Sequence, residues 1–210
     1  MGCIAGVDAP AGAKGCVIMV DLRPARKADA AALAILVDIA GEGMPSYMWS
    51  RMREPGQSAF EVGRARAARE EGGFSYRNAT VAETGGEVAA CLVDYRLDDP
   101  YDTGDLNALP DIVRPLVMLE SKAPGSWYVN VLATFPEFRG QGIGARLLAV
   151  AEERGRAQGA KGASIIVASE NASAMRLYDR CGYRETARAR AVEFPGCAHG
   201  GDWVLMVKSI

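Results

Sequence analysis

Apolar positions along this chain follow two rhythms, one of period two and one of period 3.6, which together predict a mixed α/β protein. Residues 17–22 form a short apolar run that predicts a first strand. Between residues 27 and 40, Ala31, Leu33, Ala34, Leu36 and Val37 recur at helical spacing. The segment from Gly41 to Pro45 ends that helix through backbone freedom and a fixed proline φ. A second helical stretch over roughly 47–71 breaks at Glu54, Pro55 and Gly56. Residues 78–83 and 87–95 flank Thr84, Gly85 and Gly86, a hairpin signal because such turns need positive φ.

Further on, a short helical piece covers about 112–119, and residues 127–134 make a strongly apolar strand. A helix from about 142 to 158 and a strand over 163–168 follow. A short helix begins behind Asn171 and closes at Cys181 and Gly182, then comes another strand and a final one over 202–208. This order is that of a mixed α+β domain rather than a long βαβαβ series. Residues 1–16, rich in Gly and Ala, are expected to be a loose arm, and 17–210 one domain.

Composition narrows the function classes. The chain has 210 residues, 49% hydrophobic, with 24 Lys+Arg against 26 Asp+Glu. A net charge of -2 gives no electrostatic footprint for nucleic acid. The longest uncharged stretch, 123–136, is shorter than the roughly 18 apolar residues of a membrane span. No early positive charge precedes an apolar run, so no secretory signal is expected, and the location expected is the cytoplasm. Cys3, Cys16, Cys91, Cys181 and Cys197 are odd in number and widely spaced, and the single histidine, His199, has no partner at ligand spacing. No metal is expected.

The chemistry concentrates in the segment from Thr134 to Ala145, between an apolar strand and an amphipathic helix carrying Ile143, Leu147, Leu148 and Ala151. The first N–H groups of a helix lack intrahelical acceptors and carry the positive end of its dipole, so such a place suits an anion. Gly140, Gly142 and Gly144 remove side chains that would hold a phosphate away, and Arg139 and Arg146 can neutralise charge nearby. Gly140-x-Gly142-x-x-Ala145 formally fits a dinucleotide fingerprint. That fingerprint, however, starts where a strand ends, whereas residues 135–139 intervene here.

Arg139-x-x-Gly142-x-Gly144 resembles the pyrophosphate loop of the GNAT superfamily of acetyl-CoA-dependent N-acetyltransferases. The likeness extends upstream through Leu132-x-Thr134-x-Pro136. Downstream it takes in Ala160-Lys161-Gly162, Asn171-x-x-Ala174-x-x-x-Tyr178 and Gly182-Tyr183. The resemblance implies a mixed, mostly antiparallel sheet of about six or seven strands with helices on both faces. It implies that Arg139, Gly140, Gln141, Gly142, Ile143, Gly144 and Ala145 hold the CoA pyrophosphate. Leu132, Ala133 and Thr134 would pair with the pantetheine arm along a bulged, splayed strand, and the Leu132 N–H would face the thioester oxygen. Asn171, a natural N-cap residue, is implied to touch CoA. Tyr178 is implied as general acid towards the departing thiolate.

The expected reaction is acetyl transfer from acetyl-CoA to a primary amine by direct attack in a ternary complex. Many family members place a Glu on the strand that here reads 126–131, and none stands there. Glu120 or Glu42 is therefore the expected base, acting from a flanking loop. Glu42, Tyr47, Tyr128 and Asn130 are the expected acceptor contacts. Family habit makes a homodimer plausible, with no nucleic-acid or membrane partner. The readings that compete are a non-catalytic acyl-CoA sensor and, further off, a dinucleotide-binding protein.

Overall fold

The computed structural model of the chain describes residues 20–197 and 200–210. The arm expected over 1–16, most of the first apolar run and His199 lie outside the described residues. In chain order the elements are β1 (Asp21–Pro24), α1 (Ala30–Ala40), α2 (Met44–Ser50), α3 (Ala59–Ala67), β2 (Ala79–Thr84) and β3 (Glu87–Arg96). There follow α4 (Arg114–Glu120), β4 (Trp127–Thr134), α5 (Ile143–Ala157), β5 (Gly162–Ala168), α6 (Ala172–Arg180), β6 (Arg184–Arg190) and β7 (Asp202–Ser209). The strands form one seven-stranded sheet in the order β1-β2-β3-β4-β5-β7-β6. Only β4 and β5 pair in parallel, and every other neighbouring pair is antiparallel.

Helices cover both faces of the sheet. Against one face, Leu33, Leu36 and Val37 of α1 and Val62 of α3 pack on Val81, Cys91, Val93 and Val131. Against the other, Leu147, Leu148 and Ala151 of α5 pack on Ala82, Ala90, Leu92 and Ile165. β3 alternates between the two cores, with Ala90 and Leu92 in one and Cys91 and Val93 in the other, as a period of two requires. Cys91 sits so deep that burial pushes its thiol up to about 12.

The period of two fails in β4, and that failure shapes the site. Val93 pairs with Val131 and Asp94 with Val129, so Asn130 is left opposite nothing, as in a β-bulge. Val129 and Val131, two residues apart, consequently pack into opposite cores. Asp94 fixes this spot. Its carboxylate accepts from Trp127 Nε1 at 2.7 Å and from Arg154 of α5 at 2.8 Å, while Arg154 also donates to Thr80 Oγ1 at 2.6 Å.

Burial pushes the Asp94 carboxyl up, outweighing the lowering by Trp127 and Arg154. It therefore relies on those partners while ionised. Replacing Arg154 by leucine should lower the unfolding free energy by about 2–3 kcal/mol, less than the roughly 3–5 of a wholly buried pair. The discount follows from the Arg154 side chain being 39% exposed. Urea unfolding of the two proteins measures it, and an unchanged midpoint would make the pair dispensable.

Candidate active site

The sheet opens between β4 and β5. Trp127, Tyr128 and Val129 pair with Ala163, Ser164 and Ile165, and beyond them the two strands have no ladder partners on each other. Main-chain groups past the bulge are thus left facing a gap. A cavity of about 690 Å³ fills that gap, walled by Leu132, Ala133 and Thr134 on one strand and by residues 165–168 on the other. Pockets for small organic ligands run from about 300 to 1,000 Å³.

One end of the cavity is the start of α5. Gly142 is the N-cap, at a φ of 76° that a side chain would strain. The N–H groups of Ile143, Gly144 and Ala145 follow it and have no acceptor within the helix. All three residues line the cavity, with Arg139 and Gly140, while Gln141 does not. Gly144 is small for a different reason than the sequence suggested. A Cβ there would lie 3.0 Å from Leu177 Cδ2, so it lets α6 close against the first turn of α5. The Arg139 Nε donates to the Thr134 carbonyl at 3.1 Å and ties the loop to the strand end. Arg146 is turned away, donating to the Val20 carbonyl at 3.0 Å.

The other end is formed by the α1–α2 turn. Glu42 adopts a φ of 57°, which few residues other than glycine accept, and is 8% exposed within the cavity wall. Strain of this kind concentrates at functional positions. The turn holds it rigidly. Gly41 and Gly43 N–H groups reach back to the Val37 and Asp38 carbonyls, and the Ser46 N–H donates to Asp38 Oδ1 at 2.7 Å. Asn171 Nδ2 donates to Glu42 Oε1 at 2.8 Å, while Asn171 Oδ1 accepts from the Ala174 N–H at 3.1 Å. One amide therefore caps α6 and fastens Glu42.

Tyr178 lies on α6 beside this carboxylate, 5% exposed and in the cavity wall. Burial, with smaller contributions from Glu42 and Cys181, holds its hydroxyl above the ordinary phenol range, so it is protonated at neutral pH. Asn130, freed by the bulge, also lines the cavity. Tyr47, Tyr128 and Glu120 stand outside its wall. Tyr47 lies tilted against Phe194 at 5.2 Å between ring centroids. Glu120 accepts from the Tyr101 hydroxyl behind β4, and burial raises its carboxyl. Tyr128 is buried edge-on to Tyr95 at 5.7 Å.

The sequence profile of the Acetyltransferase (GNAT) family matches residues 44–183, well over half of the chain. The chain belongs to the GNAT acetyltransferase family. No curated protein matches it in sequence. Several solved structures share its fold. One is an acetyltransferase 23% identical, with a TM-score of 0.61, covering 90% of this chain and 98% of that one. The N-acetyltransferase of Staphylococcus aureus Mu50 is 19% identical, with a TM-score of 0.60, over 90% of this chain and 100% of that one. The Drosophila melanogaster polyamine N-acetyltransferase, which forms N-acetylagmatine, is 16% identical, with a TM-score of 0.65, over 91% and 100% of the two chains.

The seven-stranded, mostly antiparallel sheet with helices on both faces is the GNAT fold, and the protein is an acyltransferase. Its single parallel pair is not a doubly wound sheet, which removes the dinucleotide reading. GNAT enzymes use acetyl-CoA, and the site fits such a ligand: a long gap with unpaired main chain ends at a helix N-terminus. Among the described residues, no group of three or more His, Cys, Asp or Glu is placed to hold a metal ion. No described helix is long and apolar enough to cross a membrane.

Several cavity residues escaped the reading of the sequence. Ile39 and Ala40 end α1, and Ser173, Leu177 and Arg180 lie on α6. The last three are spaced i, i+4, i+7, one stripe of a helix, so a helical wheel drawn from Asn171 onward finds them.

Proposed function

We propose that this GNAT enzyme transfers the acetyl group of acetyl-CoA to a primary amine by direct attack in a ternary complex. The observation that carries the reading is the opening of β4 from β5, with the α5 N-terminus at one end and Glu42 and Tyr178 within its walls. Acetyl-CoA supplies an activated thioester carbonyl. The main chain of Leu132, Ala133 and Thr134 pairs with the pantetheine arm, and the N–H groups from Gly140 to Ala145 receive the pyrophosphate, with Gln141 at the loop's outer edge. The Leu132 N–H faces the carbonyl oxygen, where charge gathers during attack; a preorganised donor there lowers the barrier.

The acceptor amine has to lose a proton, because a free alkyl amine has a pKa of about 10. Glu42 takes that proton, held in place by Asn171. Asn130 accepts an N–H of the same amine and orients its lone pair. Tyr178 donates to the leaving thiolate. Glu120 stands outside the cavity wall, bonded to Tyr101, so Glu42 is the base of this proposal. A carboxylate in the acceptor end favours a small cationic amine over a neutral one.

Calorimetry with acetyl-CoA, CoA and NAD, followed by thiol release in the presence of diamines, agmatine and N-terminal peptides, tests this. The expected result is micromolar acetyl-CoA binding, no NAD binding, and CoA release only with an amine present. Tight binding without release across the amine screen would favour an acyl-CoA sensor instead.

A further inference from the structure

Two arginines line the cavity, and they differ in how they are held. Arg139 is anchored by its bond to the Thr134 carbonyl. Arg180, at the end of α6, makes no hydrogen bond or ion pair among the described residues, although other arginines of the neighbouring surface, such as Arg184 and Arg188, are paired with carboxylates. Its place is set by Leu177, one turn earlier, whose Cδ2 closes on Gly144 in the first turn of α5. Arg180 therefore stands beside the helix N-terminus, on the stripe of α6 that faces the cavity.

A helix N-terminus offers partial charge, enough for a bridging pyrophosphate but weak for a second, terminal phosphate. CoA carries such a group on its ribose, a dianion separate from the pyrophosphate. An unpaired guanidinium next to the pyrophosphate site matches it in charge and, through two parallel N–H donors, in shape. Resting on the reading that the cavity binds acetyl-CoA, we infer that Arg180 binds the ribose 3′-phosphate and makes the enzyme select CoA over its 3′-dephospho form.

The experiment is calorimetric titration of the wild-type protein, Arg180→Ala, Arg180→Lys and Arg176→Ala with acetyl-CoA and with 3′-dephospho-acetyl-CoA. Arg176 lies on the same helix, exposed and outside the cavity, so its variant controls for net charge. The wild-type protein should prefer acetyl-CoA by about tenfold or more, as one charge-assisted contact supplies. Arg180→Ala should bring that ratio near one by weakening acetyl-CoA alone, Arg180→Lys should keep part of it, and Arg176→Ala should keep it whole.

Because Arg180 is exposed, the wild-type ratio should shrink as salt rises. Equal weakening of both donors in Arg180→Ala, an unchanged ratio, or no wild-type preference would each overturn the assignment. Failure of the wild-type protein to bind either donor would instead overturn the reading of the cavity.

Discussion

Replacing Tyr178 by phenylalanine should lower kcat about a hundredfold, near the lower end of the roughly 10²–10⁴ range for general acid–base catalysis, and leave the Kd for acetyl-CoA nearly unchanged. The lower end follows from the environment. Burial holds the phenol above its ordinary range, whereas a free thiol titrates near about 8.5, so full proton transfer to the thiolate is uphill until that thiolate is itself desolvated. In the proposed mechanism the hydroxyl thus acts chiefly as a donor to developing charge on sulfur.

The ring itself packs in the α5 and α6 core, tilted against Tyr183 at 6.3 Å between centroids, and phenylalanine keeps that contact. Thermal unfolding should therefore move little while kcat falls. Because the hydroxyl stays protonated through neutral pH, the wild-type profile should show no falling limb from it below about pH 10. A Phe variant with wild-type kcat would reduce Tyr178 to packing.

How much of this was readable beforehand depends on range along the chain. Elements made by local periodicity stood out: the helix with Leu147, Leu148 and Ala151, the Gly85-Gly86 hairpin, and the break in the second helical stretch, which separates α2 from α3. The glycine loop was legible because turn chemistry is local. The bulge at Asn130 was not, since residues 127–134 read as an unbroken apolar strand. Only the register with β3, set by the Asp94 contacts to Trp127 and Arg154, reveals it. The N-cap role of Asn171 was likewise local, but its bond to Glu42 spans 129 positions and leaves no trace in spacing. Glu120 and Glu42 looked alike as acids on flanking segments, and burial behind β4 against exposure to the cavity is a tertiary distinction.

That distinction gives the second large effect. Glu42→Gln should lower kcat/KM for the amine by about 10²–10⁴ near neutral pH, and Glu120→Gln should leave it close to wild type. Glutamine keeps an oxygen for the Asn171 amide and the same length in the strained turn, so the cap of α6 survives. Loss of activity would then report the lost base and not a displaced helix.

The pH dependence separates the two further. In the proposed mechanism the Glu42 side chain takes the amine proton within the complex. Without it, only the minor neutral fraction of free amine reacts, and that fraction rises tenfold per pH unit until the amine pKa of about 10. The variant's kcat/KM should accordingly climb with unit slope from neutral to alkaline pH, closing the gap to the wild-type enzyme. A gap that stays constant across that range would show Glu42 to be positional. A comparable loss in Glu120→Gln would move the base behind β4 and require Tyr128 and Asn130 to connect it to the cavity.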